Sequence, residues 1–249
     1  MTPILSPLPP AAAFTGQGLT CLRGGRVVFT ALDFALEPGD ALLLLGPNGS
    51  GKSSLLRLMA LLLKPLHGSL RWGGRPLQDD PDSHRGRLHY VGHLDAVKPV
   101  LTALENLDFW ATLAGADAPR RQAQAALTAL GVAHIADLPG RYLSAGQKRR
   151  LNLARLLAAP APLWLLDEPT VALDVAAIAL LEQAIAAHRR AGGMVALSTH
   201  AAIALPAART LRLDRFAPAF DPEEEPEDGP EEEPETTQAG APVPKEATR

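Results

Sequence analysis

Eight consecutive residues, Gly46-Pro47-Asn48-Gly49-Ser50-Gly51-Lys52-Ser53, have the types and the spacing to grip phosphate. In this G-x-x-x-x-G-K-S pattern the glycines let the backbone close around oxygens and turn successive N–H groups inward, making an anion-binding nest. Lys52 can reach the β- and γ-phosphates of a nucleoside triphosphate, and the Ser53 hydroxyl can hold Mg²⁺. A second group is the acidic pair Asp167-Glu168, followed by Pro169-Thr170. Alone, such a pair after an apolar run suits a helix N-cap as well as catalysis. A third is Leu143-Ser144-Ala145-Gly146-Gln147, in which Ser144 and Gln147 are spaced as a capping box. A fourth is His200, just past the apolar run Met194-Val195-Ala196-Leu197.

These residues need elements to hold them. Ala41 to Leu45 is a short apolar run and reads as a buried strand. Ser54 to Leu63 reads as a helix that ends near Lys64-Pro65, because the residue before proline is pushed out of helical geometry. That strand–loop–helix context separates a phosphate loop from a glycine-rich turn, and the helix N-terminus adds its positive end to the site. Leu163 to Leu166 and Met194 to Ser198 read as further buried strands. His200 then stands at the C-terminal edge of a parallel sheet, which is where such sheets receive ligands.

Leu19 to Phe29, Ala31 to Leu36 and Gly68 to Trp72 read as β segments, and Pro76 to Gly86 as a polar loop. After a strand at Arg87 to Gly92 come three helices. The first, Thr102 to Leu113, carries a stripe at Leu104, Leu107, Trp110 and Leu113. The second, Arg120 to Leu130, is closed by Gly131, and the third, Lys148 to Ala159, is stopped by Pro160. A helix over Val175 to Arg190 and a last strand at Thr210 to Asp214 complete the pattern.

The chain has 249 residues, enough for one large domain with a substantial core. No run approaches the roughly 18–20 apolar residues of a membrane span. Met1 to Phe14 has no Lys or Arg, so it lacks the positive region of a signal peptide. The single cysteine, Cys21, forbids an intrachain disulfide and reads as an inert apolar residue. The net charge of −3 hides a division. Residues 217–249 hold 11 acidic and 2 basic residues, leaving 16 acidic and 22 basic in residues 1–216. A mildly basic domain suits a nucleotide, a nucleic acid or an anionic membrane face, and charge alone does not choose. The expected organisation is an N-terminal extension over 1–16, disordered, a domain over 17–216, and an acidic disordered tail over 217–249.

Taken in order, the motifs resemble those of ABC-transporter ATP-binding subunits, from about Leu19 to Phe216. The resemblance implies an α/β P-loop NTPase fold of the ABC type, with an antiparallel β subdomain and a helical subdomain inserted at about 94–159. It implies ATP and Mg²⁺ as cofactors. Gly46 to Ser54 would bind the phosphates, and Ser53 and Asp167 the metal. Glu168 would be the general base and His200 a contact to the γ-phosphate, with Lys52 alongside. Ser144, Ala145, Gly146 and Gln147 resemble the signature segment that caps the nucleotide of the opposite subunit, with Ala145 in place of a glycine. Asp174 falls in the segment that crosses the dimer interface. Two positions depart from the family: His93 stands where a glutamine is usual, and Arg23 where an aromatic residue stacks on adenine.

Gly92-His93, Lys98, the run Leu101 to Leu107 and Leu143 to Arg150 further resemble the CcmA subfamily, the ATPases of cytochrome c maturation (haem exporter) complexes. This implies a homodimer closed through an ATP sandwich, on the cytoplasmic face of the inner membrane, docked on an integral membrane permease. It implies no nucleic acid and no direct contact with cargo. Two other readings remain open from the residues: the ATPase of another small exporter (for drugs, lipid or polysaccharide), and a soluble ABC ATPase acting on nucleic acid or ribosomes. The second class typically carries long coiled coils or two ATPase units, and this chain has neither.

Overall fold

The computed structural model describes residue 8 and residues 11–218. The chain opens with β1 (Phe14–Arg23) and β2 (Arg26–Leu36), then β3 (Ala41–Leu45) and α1 (Lys52–Met59). Next come β4 (His67–Trp72), β5 (Arg75–Pro76), α2 (Pro81–Gly86) and β6 (Leu88–Val91). Three helices follow: α3 (Ala103–Leu113), α4 (Pro119–Ala129) and α5 (Ala145–Ala158). The described chain ends with β7 (Leu163–Asp167), α6 (Val175–Arg190), β8 (Met194–Ser198) and β9 (Arg209–Arg212). The expected fold class is the one found: an antiparallel sheet, a parallel sheet and an inserted helical block.

The antiparallel sheet runs β2-β1-β4-β5, and the five-stranded parallel sheet runs β6-β7-β8-β3-β9. Strands β7 and β8 are buried at every position, which explains their unbroken apolar sequence. Because side chains alternate across a strand, each feeds two cores. Leu163, Leu165, Met194 and Ala196 join Phe14, Phe29, Leu36 and α1 in one core. Trp164, Leu166, Val195 and Leu197 join the helical block and α6 in the other. Strands β7 and β8, which lead to Asp167, Glu168 and His200, therefore have both faces fixed.

Several boundaries differ from the sequence reading. Residues 14–16 belong to β1, so the N-terminal extension is shorter than expected. The single β segment expected over Leu19 to Phe29 is a hairpin, turning at Gly24-Gly25, both at positive φ. Helix α1 ends at Met59 rather than near Lys64, because Leu61 turns into the left-handed region at φ 55°. Nothing in a run of leucines signals that turn. The polar loop at Pro76 to Gly86 contains α2, where Asp80 caps Ser83 and Pro81 opens the helix. Helix α5 starts at Ala145 and ends at Ala158, and β9 ends at Arg212 with a 3₁₀ turn after it. The acidic tail, apart from residues 217 and 218, lies outside the described residues. So do residues 1–7, 9 and 10.

Candidate functional site

Strand β3 delivers the phosphate loop, and α1 begins inside it. Gly51, at φ 97°, is the N-cap and offers no side-chain cap to the helix. A Cβ at Gly51 would lie 2.7 Å from Val28 and 2.8 Å from Phe29, so only glycine fits there. Lys52 is 8 % exposed, and its Nζ donates to the carbonyls of Gly46 (2.7 Å) and Pro47 (3.0 Å). The Oγ of Ser50 is buried without a hydrogen-bond partner, a polar atom the loop does not itself satisfy.

Strand β7 pairs with β8 so that Asp167 lies opposite Ser198. Asp167, 3 % exposed, accepts from Ser198 Oγ (2.8 Å) and Ser53 Oγ (2.9 Å) on the same carboxylate oxygen. The loop and the acidic pair thus meet although 114 residues separate them in sequence. Burial raises the Tyr90 phenol above its ordinary pKa, with Arg57 pulling it back and Asp167 pushing it further up.

Glu168 turns away from the strand at φ 49°, its N–H bonded to Ser198 O (3.0 Å). Its Oε2 accepts from the His200 N–H (3.2 Å), and its Oε1 lies 3.5 Å from His200 Nε2. The hydroxyls of Thr170 and Thr199 join the two turns behind them at 3.0 Å. Glu168 and His200 then line one cleft of about 420 Å³. Its other walls are Arg23 and Val28 from the antiparallel sheet and the loop residues Asn48, Gly49 and 51–54.

The remaining candidates lie elsewhere. His93 is exposed on the loop after β6 and does not line the cleft. Ser144 caps α5 with a complete capping box: its N–H donates to Gln147 Oε1 (2.9 Å), and its Oγ accepts from the Gln147 N–H (3.3 Å). Asp174 caps α6 by accepting from the Ala177 N–H (2.8 Å), and it pairs with Arg150 of α5 at 2.5 Å. Ala145 is exposed, so its methyl is accommodated, whereas a Cβ at Gly146 would lie 2.9 Å from Ala172 O. The segment containing Asp174 and the one containing Gly146 are therefore packed together, with Val171 and Val175 exposed beside them.

A family model described as ABC transporter matches residues 29–171. The cytochrome c biogenesis ATP-binding export protein CcmA of Rhodospirillum rubrum is 63 % identical over 207 residues, covering 83 % of this chain and 88 % of that protein. The chain belongs to the ABC transporter family, in its CcmA branch. A second CcmA, from Paramagnetospirillum magneticum, is 61 % identical over 210 residues, 84 % of this chain and 97 % of that one. Among solved structures, a dimeric ATP-binding cassette in a post-hydrolysis state with ADP and Pi is 27 % identical with a TM-score of 0.66. It covers 76 % of this chain and 88 % of its own. An ABC transporter ATP-binding protein from Pyrococcus furiosus, at 23 % identity and TM-score 0.72, shares the fold.

As an ABC ATPase, the protein has a site built by residues the sequence reading partly missed. Ser198 was read only as the end of a strand, yet it holds Asp167. Its signal is the register of β7 with β8, which no single segment displays. Arg149, read as part of a motif, touches the carbonyls of Asp167, Glu168 and Pro169. A basic residue one turn into a helix carries no mark of such burial.

Proposed function

We propose that the chain is the ATP-hydrolysing subunit of a cytochrome c biogenesis exporter, and that it works as a homodimer on a membrane permease. The observation that carries the catalytic part is the convergence of Lys52, Ser53, Glu168 and His200 on one cleft. In this reading the loop amides and the α1 N-terminus cradle the β- and γ-phosphates, with Lys52 as their counter-charge. Ser53 Oγ and Asp167 Oδ1, 2.9 Å apart, are hard oxygen donors suited to Mg²⁺. Among the described residues no three His, Cys, Asp or Glu side chains cluster as a metal site. That suits an ion completing its shell with substrate phosphate and water. Bound there, Mg²⁺ neutralises charge developing on the phosphoryl oxygens.

Glu168 orients and deprotonates the attacking water, and His200, held against that carboxylate, contacts the γ-phosphate. Arg23 covers the base, its planar guanidinium standing in for an aromatic ring. Ser144 to Gln147 and Asp174 serve the partner's nucleotide, which accounts for their distance from the chain's own cleft. No helix of the described residues is long and apolar enough to cross a membrane. The exposed Leu94 and Val100, on the loop that also carries His93 and Lys98, offer the permease an apolar surface. The identity to two CcmA proteins supports haem delivery toward c-type cytochromes, at the cytoplasmic face of the inner membrane.

The test uses Glu168→Gln in a strain lacking the wild-type copy. The purified variant should bind ATP, hydrolyse it very slowly and accumulate as a nucleotide-bound dimer, and covalently haem-stained c-type cytochromes should disappear. Normal cytochrome levels with a variant confirmed inactive in vitro would overturn the maturation assignment and favour another exporter.

A further inference from the structure

Arg149 is 4 % exposed, and its guanidinium carries five N–H donors. Five hydrogen bonds use them. Nε donates to Pro169 O (3.4 Å), and Nη2 donates to Asp167 O (3.0 Å) and Glu168 O (2.7 Å). Nη1 donates to Gly92 O (2.9 Å) and to Asp95 Oδ1 (3.2 Å). The acceptors belong to two segments only: three successive carbonyls of the turn that carries Glu168, and the loop leaving β6. A buried cation needs this kind of saturation, since any donor left without a partner is costly. The same geometry makes Arg149 a clamp between those segments.

The turn has reason to need one. Glu168 adopts a left-handed backbone that a residue with a side chain rarely holds unless its surroundings fix it. Ser198 fixes its N–H from one side, and Arg149 fixes the carbonyls before, at and after it from the other. Asp95 is the only acidic partner in the clamp. It also accepts from Asn152 Nδ2 (3.2 Å), whose Oδ1 takes Arg155 Nη1 (2.9 Å). The Arg155 guanidinium lies over Trp110 of α3, 3.9 Å from the ring centroid. Polar contacts thus run without a break from α3 to the Glu168 turn.

We propose that Arg149 is a positioning residue for hydrolysis, aiming the Glu168 carboxylate by fixing its turn against the loop at 92–95, with Asp95 setting that loop. Displacing this loop and misaiming Glu168 are then one event. This rests on Glu168 being the general base. It goes beyond that role by naming what orients it.

The full-length chain is tested in the assembly that supports wild-type hydrolysis, as Arg149→Lys and as Asp95→Asn. Lysine keeps the charge but loses the planar fork. Both variants should lower kcat about tenfold, with KM for ATP within about twofold of wild type, because aiming affects the chemical step and not phosphate binding. In a Glu168→Gln background, Asp95→Asn should leave the residual single-turnover rate unchanged, because there is no carboxylate to aim. A merely structural role would lower the rate in both backgrounds alike. Wild-type kcat in Asp95→Asn, or an undiminished loss in the glutamine background, would overturn the proposal. Should Arg149→Lys fail to fold, Asp95→Asn decides alone, its side chain being 24 % exposed on a loop. Wild-type hydrolysis by Glu168→Gln itself would instead remove the base assignment, a result separable from either outcome above.

Discussion

Two helix N-termini of this molecule carry the phosphate contacts proposed above, and they are finished differently. Helix α1 begins at Gly51, with no side chain capping its first turn. Helix α5 begins at Ser144 with both bonds of a capping box in place. The first helix leaves its N-terminal end to the loop and whatever the loop holds, and it sits in the chain's own cleft. The second is complete as local structure and lies away from that cleft. A helix end made to receive an anion within its own chain can forgo a cap. One that meets a ligand only across an interface must be stable before the interface forms.

The largest break in that comparison comes from Lys52→Ala. It removes the proposed counter-charge to the phosphates and both tethers to Gly46 and Pro47. Hydrolysis should fall on the order of 100-fold or more, the scale seen when a charge-stabilising donor is lost. Steady-state phosphate release measures it, and a wild-type rate would show that α1 does not head the site.

Gly146→Ala should act on the other terminus. The new Cβ would press on Ala172 O, a backbone atom that cannot swing aside. The expected cost is about 1–3 kcal/mol of stability. ATP binding by the isolated chain should survive, and dimerisation with MgATP should weaken. Equilibrium denaturation and light scattering read the two effects separately.

Ser144→Ala is smaller in the fold, about 1 kcal/mol for a lost cap. If the hydroxyl also serves the partner's nucleotide, turnover of the dimer should fall further than stability does. Equal, small losses in both would reduce Ser144 to a cap. Ala145→Gly should change least, under about 1 kcal/mol, since the residue is exposed and only helix propensity is lost. A thermal melt shifted by several degrees would mean that the alanine has a packing role.

The parts of this site that were legible in the sequence are those that one segment carries whole. The phosphate loop is such a part, because a fixed backbone shape demands glycines, a lysine and a serine at fixed steps. The buried strand β8 is legible with both ends in place and β7 to within one residue, since each is apolar at every position until its polar terminus. The Ser198–Asp167 bond was not legible, because it depends on the register of two strands whose segments look alike. Arg149 was not legible for a related reason. Its partners come from Gly92, Asp95 and residues 167–169, and only the tertiary structure brings those together. The end of α1 was misjudged because propensity favours continuing through Leu61 to Leu63, while packing turns the chain at Leu61.

The close approach of Gly146 to the Ala172 carbonyl, with the Arg150–Asp174 pair beside it, has a mechanical meaning. The two segments proposed to serve a second copy are packed against each other, so a shift of one presses on the other. A partner would therefore be offered the Ser144 terminus and the Asp174 turn together or not at all. Closure between two such copies would behave as a latch with two positions, and a half-engaged pair would have little to rest on.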